Sequence, residues 1–190
     1  SYTKIIQDEN NRLKNQVDKV LQLATIERDK LKLENEPIDL HELIANSIKS
    51  FELLVSQQGG QITAQLKAPE HIFHGDKVHI SNILYNLIDN AIKYSPEKPT
   101  ITISTSPYKN GIEISVRDNG VGISEEAQKH IFEKFYREPT GNVHNIKGFG
   151  LGLNYVKTIV EFYNGSVRLV SKKNEGSTFI IKLPLKINNK

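Results

Sequence analysis

Asn86-Leu-Ile-Asp-Asn90-Ala-Ile-Lys93-Tyr94 is the stretch from which the rest of the chain is best read. At 3.6 residues per turn, positions four and seven apart nearly superimpose, so Asn86, Asn90 and Lys93 share one side of a helix with Tyr94 beside them. Ile80, Leu84, Leu87, Ile88 and Ala91 gather on the other side. A helix is predicted over residues 76–94, stopped by Ser95-Pro96. Its polar row holds two amide oxygens, an ammonium and a phenol. Amide oxygens are acceptable ligands for Mg²⁺, which takes few protein groups when phosphates supply the others. Read alone, the same row is a polar outer face.

Upstream, Leu40 to Gln58 has helical periodicity and ends at Gly59-Gly60, before the alternating strand Gln61–Leu66. Downstream, Thr100–Thr105 and Ile112–Val116 alternate as two strands, joined through Asn110-Gly111 as a tight hairpin. A third helix runs from about residue 150 to Tyr163, meets a left-handed cap at Asn164-Gly165, and is followed by strands Ser166–Ser171 and Thr178–Leu183. This order predicts an α+β fold, a two-layer sandwich with a mixed sheet covered by helices on one face. Residues 125–147 are too long for an ordinary connection and form a candidate lid. Its inner part, Ile131 to Arg137, is expected to be a short helix packed by Phe132 and Phe135.

Tyr2 to Leu33 contains neither Gly nor Pro, and apolar residues recur at Ile6, Leu13 and Val20 and at Val17, Ala24 and Leu31. That spacing predicts one long helix with a narrow seam, which needs a partner helix or a second copy of the chain. Pro37 sets the boundary, dividing residues 1–36 from a domain at 37–190. The composition is that of an ordinary folded chain, 37% hydrophobic and 25% charged. A net charge of +3, spread along the sequence, gives no reason to invoke nucleic acid. With no cysteine there is no disulfide or thiolate chemistry. No apolar run approaches a membrane span, so this piece is expected in the cytoplasm. A longer parent protein remains free to be anchored in an inner membrane.

Three further motifs carry chemistry. Asp118 closes a strand and precedes Asn119-Gly120-Val-Gly122, where a carboxylate in a tight glycine-lined corner can accept a hydrogen bond from an exocyclic amine such as that of adenine. The plainer alternative is an Asp-Asn-Gly turn. Gly148-Phe149-Gly150-Leu151-Gly152 opens a helix, whose free amides suit phosphate, and it also reads as a glycine hinge for the lid. Gly176-Ser-Thr178-Phe179 starts the last strand, where Thr178 can place a hydroxyl in the same pocket. Arg137, in the lid, has the donor fork of a phosphate ligand. His71, His74 and His79 lack the acid or thiol spacing that would complete a metal site.

Taken together, "NLIDNAIKYS", "DNGVGI", "FEKFYR", "GFGLGL" and "GSTF" resemble the ATP-binding catalytic domain of sensor histidine kinases, within the fold shared with DNA gyrase B, MutL and a class of heat-shock chaperones. The resemblance covers residues 38–185. Residues 1–36 resemble the second helix of the dimerisation and phosphotransfer hairpin. By that resemblance Asn86 and Asn90 hold Mg²⁺ and the phosphates of ATP, and Lys93 and Arg137 contact phosphate. Asn86 and Arg137 serve the transfer itself. Tyr94 lines the pocket, and Asp118 binds the adenine amine, aided by Gly122 and Thr178. Gly148, Gly150 and Gly152 form the mobile end of the lid. Gly120, Ile123, Phe132, Tyr136, Phe149, Leu151 and Leu153 complete the nucleotide-contacting set.

The family often has Arg and Gln where this chain has His79 and Asn82, and Thr or Ser at Phe149. The family's acceptor histidine is expected outside this piece, since the first histidine here is His41. The implied activity is protein-histidine kinase, with relay to a response-regulator receiver domain and a homodimeric parent. The alternatives are an ATPase of the same fold and a non-catalytic nucleotide-binding dimerisation or regulatory module.

Overall fold

The computed structural model describes residues 33–95, 97–138 and 149–185. The chain divides into two units, residues 1–33 and 34–190. The expected long helix over residues 2–33 lies almost wholly outside the described residues. Among the described residues no helix is long and apolar enough to cross a membrane.

The second unit begins with strand β1 (Glu36–Asp39), helix α1 (Leu40–Gln57) and strand β2 (Gln61–Leu66). Strand β3 (Ile72–Gly75) then leads into helix α2 (Lys77–Lys93). Strands β4 (Thr100–Tyr108) and β5 (Gly111–Arg117) form a hairpin, and α3 (Glu125–Gln128) is a single turn. Helix α4 (Gly152–Phe162) and strands β6 (Ser166–Lys172) and β7 (Gly176–Pro184) complete it. Five strands make one sheet in the order β2-β4-β5-β7-β6. Only β2 and β4 run parallel, so the sheet is mixed as expected.

Both long helices start at an aspartate. Asp39 accepts from the amides of His41 and Glu42 at 2.9 and 3.0 Å, and Asp76 from those of Val78 and His79 at 2.9 and 3.2 Å. Each satisfies donors that the first helical turn leaves open, which is worth about 1 kcal/mol per cap. The core follows the alternation of the strands. Ile101 and Ile103 of β4, Ile112, Ile114 and Val116 of β5, and Phe179, Ile181 and Leu183 of β7 are buried, against Leu84, Leu87 and Ile88 of α2 and Val156 and Ile159 of α4. The opposite face of β4 and β5 carries Thr102, Ser104 and Ser115, with the two serine hydroxyls 2.7 Å apart.

Two features differ from the sequence reading. β1 and β3 form a small antiparallel sheet that periodicity did not reveal, because each is only four residues long. Pro37 fits there since it faces His74 in the register, while the bond from Leu40 N–H to His71 O at 3.1 Å places the bonded pairs at the alternate positions. The β4–β5 turn is Lys109-Asn110, not Asn110-Gly111: Tyr108 pairs with Gly111, and the positive φ of 49° falls on Lys109. Gly111 is instead a strand residue, where a Cβ would lie 2.2 Å from Leu183 O on the neighbouring strand.

Candidate functional site

Asp118, at the end of β5, is 6% exposed. Its Oδ1 accepts from the amides of Gly120 at 2.8 Å and Ser177 at 3.1 Å, and its own amide donates to Ser177 O at 2.9 Å. Oδ2 takes no hydrogen bond among the described residues. Burial pushes this carboxyl above its ordinary range, with the two amides acting against that shift. The corner is built by close backbone approach. A Cβ on Gly176 (φ +89°) would lie 2.1 Å from Asp118 O, and one on Gly122 (φ +66°) 2.0 Å from Lys172 O. Only glycine fits positions that combine positive φ with such contacts.

The same loop is tied to the end of α2. Val121 N–H donates to Tyr94 O at 2.9 Å, and a Cβ on Gly120 would lie 2.4 Å from that oxygen. Asn119 braces it from the other side, accepting from Thr100 N–H at 2.8 Å. Ile123 N–H donates to Ser171 Oγ at 2.9 Å. Tyr94, through its carbonyl oxygen, and Asp118, Gly120, Gly122 and Ile123 therefore stand together.

From Tyr94 the polar row runs back along α2 through Lys93 and Asn90 to Asn86, about 12 Å at ~1.5 Å per residue. Asn86 and Asn90 are half-buried. Asn86 Nδ2 donates to Asn82 O at 2.8 Å, which leaves its Oδ1 on the far side of the amide. A Cβ on Gly152 would meet that Oδ1 at 2.8 Å, so the first residue of α4 sits directly against it. Leu151 precedes α4 without any side-chain cap, and the first amides of the helix have no side-chain partner there. Lys93 is exposed and ion-paired with Asp89 one turn earlier.

The lid's inner end differs from the short helix expected at 131–137. The helical turn is α3, one step earlier, capped by Ser124 Oγ accepting from Ala127 N–H at 3.3 Å. Phe132 packs edge-on to Phe179, with ring centroids 6.4 Å apart. Phe135 is 66% exposed and packs no core, because its φ of +62° turns the chain outward at that point. Phe135 N–H donates to Gly150 O at 3.0 Å, and a Cβ on Gly150 (φ +69°) would strike Tyr136 O at 2.5 Å, so Tyr136 and Gly150 are neighbours. Arg137 follows on the surface, and Phe149 is exposed beside Gly150. Leu151 is buried and Leu153 half-buried. Gly148 and residues 139–147 of the expected lid lie outside the described residues.

Thr178 pairs with Arg117 across β5 and falls on the face of β7 opposite Phe179. The structure thus places Ser177, not Thr178, beside the Asp118 carboxylate. Alternation around the apolar Phe179 was the signal for this. Asn154 was not anticipated either: its Nδ2 donates to Phe132 O at 2.9 Å, joining the lid's inner end to α4. An amide directly beside the apolar face of Tyr155, Val156, Ile159 and Val160 was the available hint. His41 and His71 stack at 4.0 Å. Among the described residues no three His, Cys, Asp or Glu side chains converge on a common point.

The profile of the histidine kinase-, DNA gyrase B-, and HSP90-like ATPase family matches residues 75–187. The chain is similar to the sensor protein RprX of Bacteroides fragilis, 42% identical over 187 residues, which are 97% of this chain and 36% of that protein. It therefore spans about a third of the length of that relative. Among solved structures, full-length ShkA in complex with AMPPNP superposes with a TM-score of 0.87 at 22% identity, over 100% of this chain and 39% of that one. Histidine kinase ThkA in complex with response regulator protein TrrA gives 0.76 at 24%, over 100% and 52%. These two show a common fold. On the profile and the sequence identity, the chain belongs to the histidine kinase-, DNA gyrase B- and HSP90-like ATPase family, among the catalytic domains of sensor histidine kinases.

Proposed function

We propose that this domain binds Mg-ATP along α2 and transfers its γ-phosphoryl group to a histidine outside residues 1–190, for relay to an aspartate of a response-regulator receiver domain. The observation that carries the reading is the Asp118 carboxylate. Its Oδ1 is saturated by two backbone amides and its Oδ2 has no partner among the described residues, a group poised to accept from the adenine amine. Guanine presents a carbonyl at that edge, so the arrangement selects adenine. With the base at Asp118, the phosphates run toward Asn90, Asn86 and the uncapped start of α4, where amides and the positive end of the helix favour anions.

Magnesium suits the donor set. Asn86 and Asn90 offer two neutral hard oxygens, and Mg²⁺ completes its octahedron with water and phosphate oxygens rather than an all-protein cage. Once bound, the ion would neutralise charge on the phosphates. Everything else falls to the chain itself. Asn86 has its Oδ1 orientation fixed by the bond from Nδ2 to Asn82 O, and Arg137 and Lys93, the latter shared with Asp89, would contact phosphate. The acceptor imidazole nitrogen attacks the γ-phosphorus, the bond to the bridging oxygen breaks and ADP leaves, so the protein's contribution is positioning and electrostatic stabilisation.

The ShkA structure holds AMPPNP and the ThkA structure holds a response regulator, which supports nucleotide and regulator binding as the roles of this domain. Residues 1–36 would supply one helix of the dimerisation hairpin, and the domain would work in the cytoplasm. Calorimetric titration with Mg-ATP and Mg-GTP tests the central claim. Strong preference for ATP, abolished in Asp118→Asn, is the expected result. Equal binding of the two nucleotides overturns it.

A further inference from the structure

Helix α2 turns a second row of side chains toward α4, formed by His79, Asn82 and Asn86, three and seven positions apart. Opposite them is Tyr155, one turn into α4 and 5% exposed. Its hydroxyl lies 2.6 Å from His79 Nδ1 and 3.4 Å from Asn82 Nδ2, and the two rings stack at an angle of 20°. Asn82 Nδ2 donates to the phenol oxygen, and the buried phenol proton has His79 Nδ1 as its acceptor in reach, so the arrangement that satisfies all three groups has Tyr155 donating to His79 Nδ1. His79 is then neutral, with its own proton on Nε2.

We infer that His79 and Tyr155 are a positioning pair: their hydrogen bond holds the first turn of α4 against Asn86 and thereby sets affinity for the phosphate-bearing end of the nucleotide, leaving base recognition at Asp118 untouched. This rests on the reading in which Asn86 and the start of α4 receive the phosphates. The geometry supports it in two ways. Gly152 and Tyr155 are a turn apart on α4, and Gly152 abuts Asn86 Oδ1 while Tyr155 is bonded to His79. Asn86 is held within α2 by its bond to Asn82 O, so the two helices meet at two points within two turns, Gly152 against Asn86 and Tyr155 on His79 and Asn82.

Burial favours the neutral pair. Burial pushes the Tyr155 phenol up to about 12, so it remains a donor at any ordinary pH. Burial also holds His79 below the usual imidazole range, against the pull of Asp76, which caps α2 nearby. The other groups around them are Tyr163, just past the end of α4, whose hydroxyl accepts from Asp76 N–H at 2.8 Å, and the backbone amide of Glu34, 3.2 Å from Asp76 Oδ2. Protonating His79 would turn Nδ1 into a donor and leave the buried phenol proton without an acceptor among the described residues.

The test compares the unaltered chain with Tyr155→Phe, His79→Ala and His79→Gln, titrated calorimetrically with Mg-ATP and with adenosine from about pH 5 to about pH 8. Tyr155→Phe keeps the ring and should lose roughly three- to tenfold of ATP affinity, with adenosine affinity unchanged. His79→Gln retains an acceptor and should restore most of the ATP affinity that His79→Ala loses. The extra weakening of ATP binding in acid, present in the unaltered chain, should be absent in both Tyr155→Phe and His79→Gln. Equal losses for ATP and adenosine, or no loss, overturn the inference. If the unaltered chain binds neither ligand, the nucleotide reading itself fails. The ¹⁵N shifts of His79 decide the pair separately: an unprotonated Nδ1 that becomes a tautomer mixture in Tyr155→Phe supports it, and a protonated Nδ1 at neutral pH refutes it.

Discussion

The two ends of the polar row on α2 are built by different means. At the Asp118 end the walls are backbone: Gly120, Gly122 and Gly176 each stand where a Cβ would come within 2.0 to 2.4 Å of a carbonyl oxygen. At the Asn86 end the walls are side chains. Gly152 meets only the tip of Asn86, and Tyr155, His79 and Asn82 bridge two helices through hydrogen bonds. Backbone walls cannot yield without moving a strand, whereas amide and ring groups can rotate. A rigid corner for a flat base and an adjustable one for phosphates is the arrangement expected of a domain that must bind, transfer and release.

The comparison is broken most directly by one substitution made at each end. Gly176→Ala should lower stability by about 3 kcal/mol or more, since positive φ and overlap with Asp118 O both oppose it. Gly152→Ala should cost less, about 1 kcal/mol, because the group it displaces is the end of the Asn86 side chain, at the expense of the bond to Asn82 O, and alanine favours helix. Similar urea midpoints for the two variants would contradict the distinction.

Next in size is Asp118→Asn, which should weaken ATP binding by about ten- to a hundredfold, the range of a hydrogen bond to a charged group. Its stability effect has the opposite sign. Because burial raises the folded-state pKa, the carboxyl favours folding fully only below its ordinary value of 3.8, and that contribution is lost as pH rises through the raised value. Asp118→Asn should therefore unfold at a higher temperature than the unaltered chain at neutral pH, with the gap closing in acid. A lower melting temperature at neutral pH would contradict this.

Asn90→Ala should lose roughly tenfold of ATP affinity in the presence of magnesium and much less without it. A loss independent of magnesium would move Asn90 out of the metal set. The smallest effect is expected at the exposed Lys93–Asp89 pair, where Asp89→Asn should change stability by only a few tenths of a kcal/mol in thermal unfolding.

What the sequence determined by itself follows from short-range physics. The faces of α2, the stops at Gly59 and Asn164, the strand alternation of β4 and β5, and the aspartate at the close of β5 depend on residues within a turn or two of each other. They were legible because helical and strand periods act locally. The tertiary structure alone decided the rest. Whether Thr178 or Ser177 meets Asp118 depends on the register of β7 against β5, which one residue of slip would reverse. The outward turn at Phe135 depends on Gly150, fifteen positions away. The bond from Tyr155 to His79 joins residues 76 positions apart, and no local pattern encodes a contact that exists only once two helices have packed.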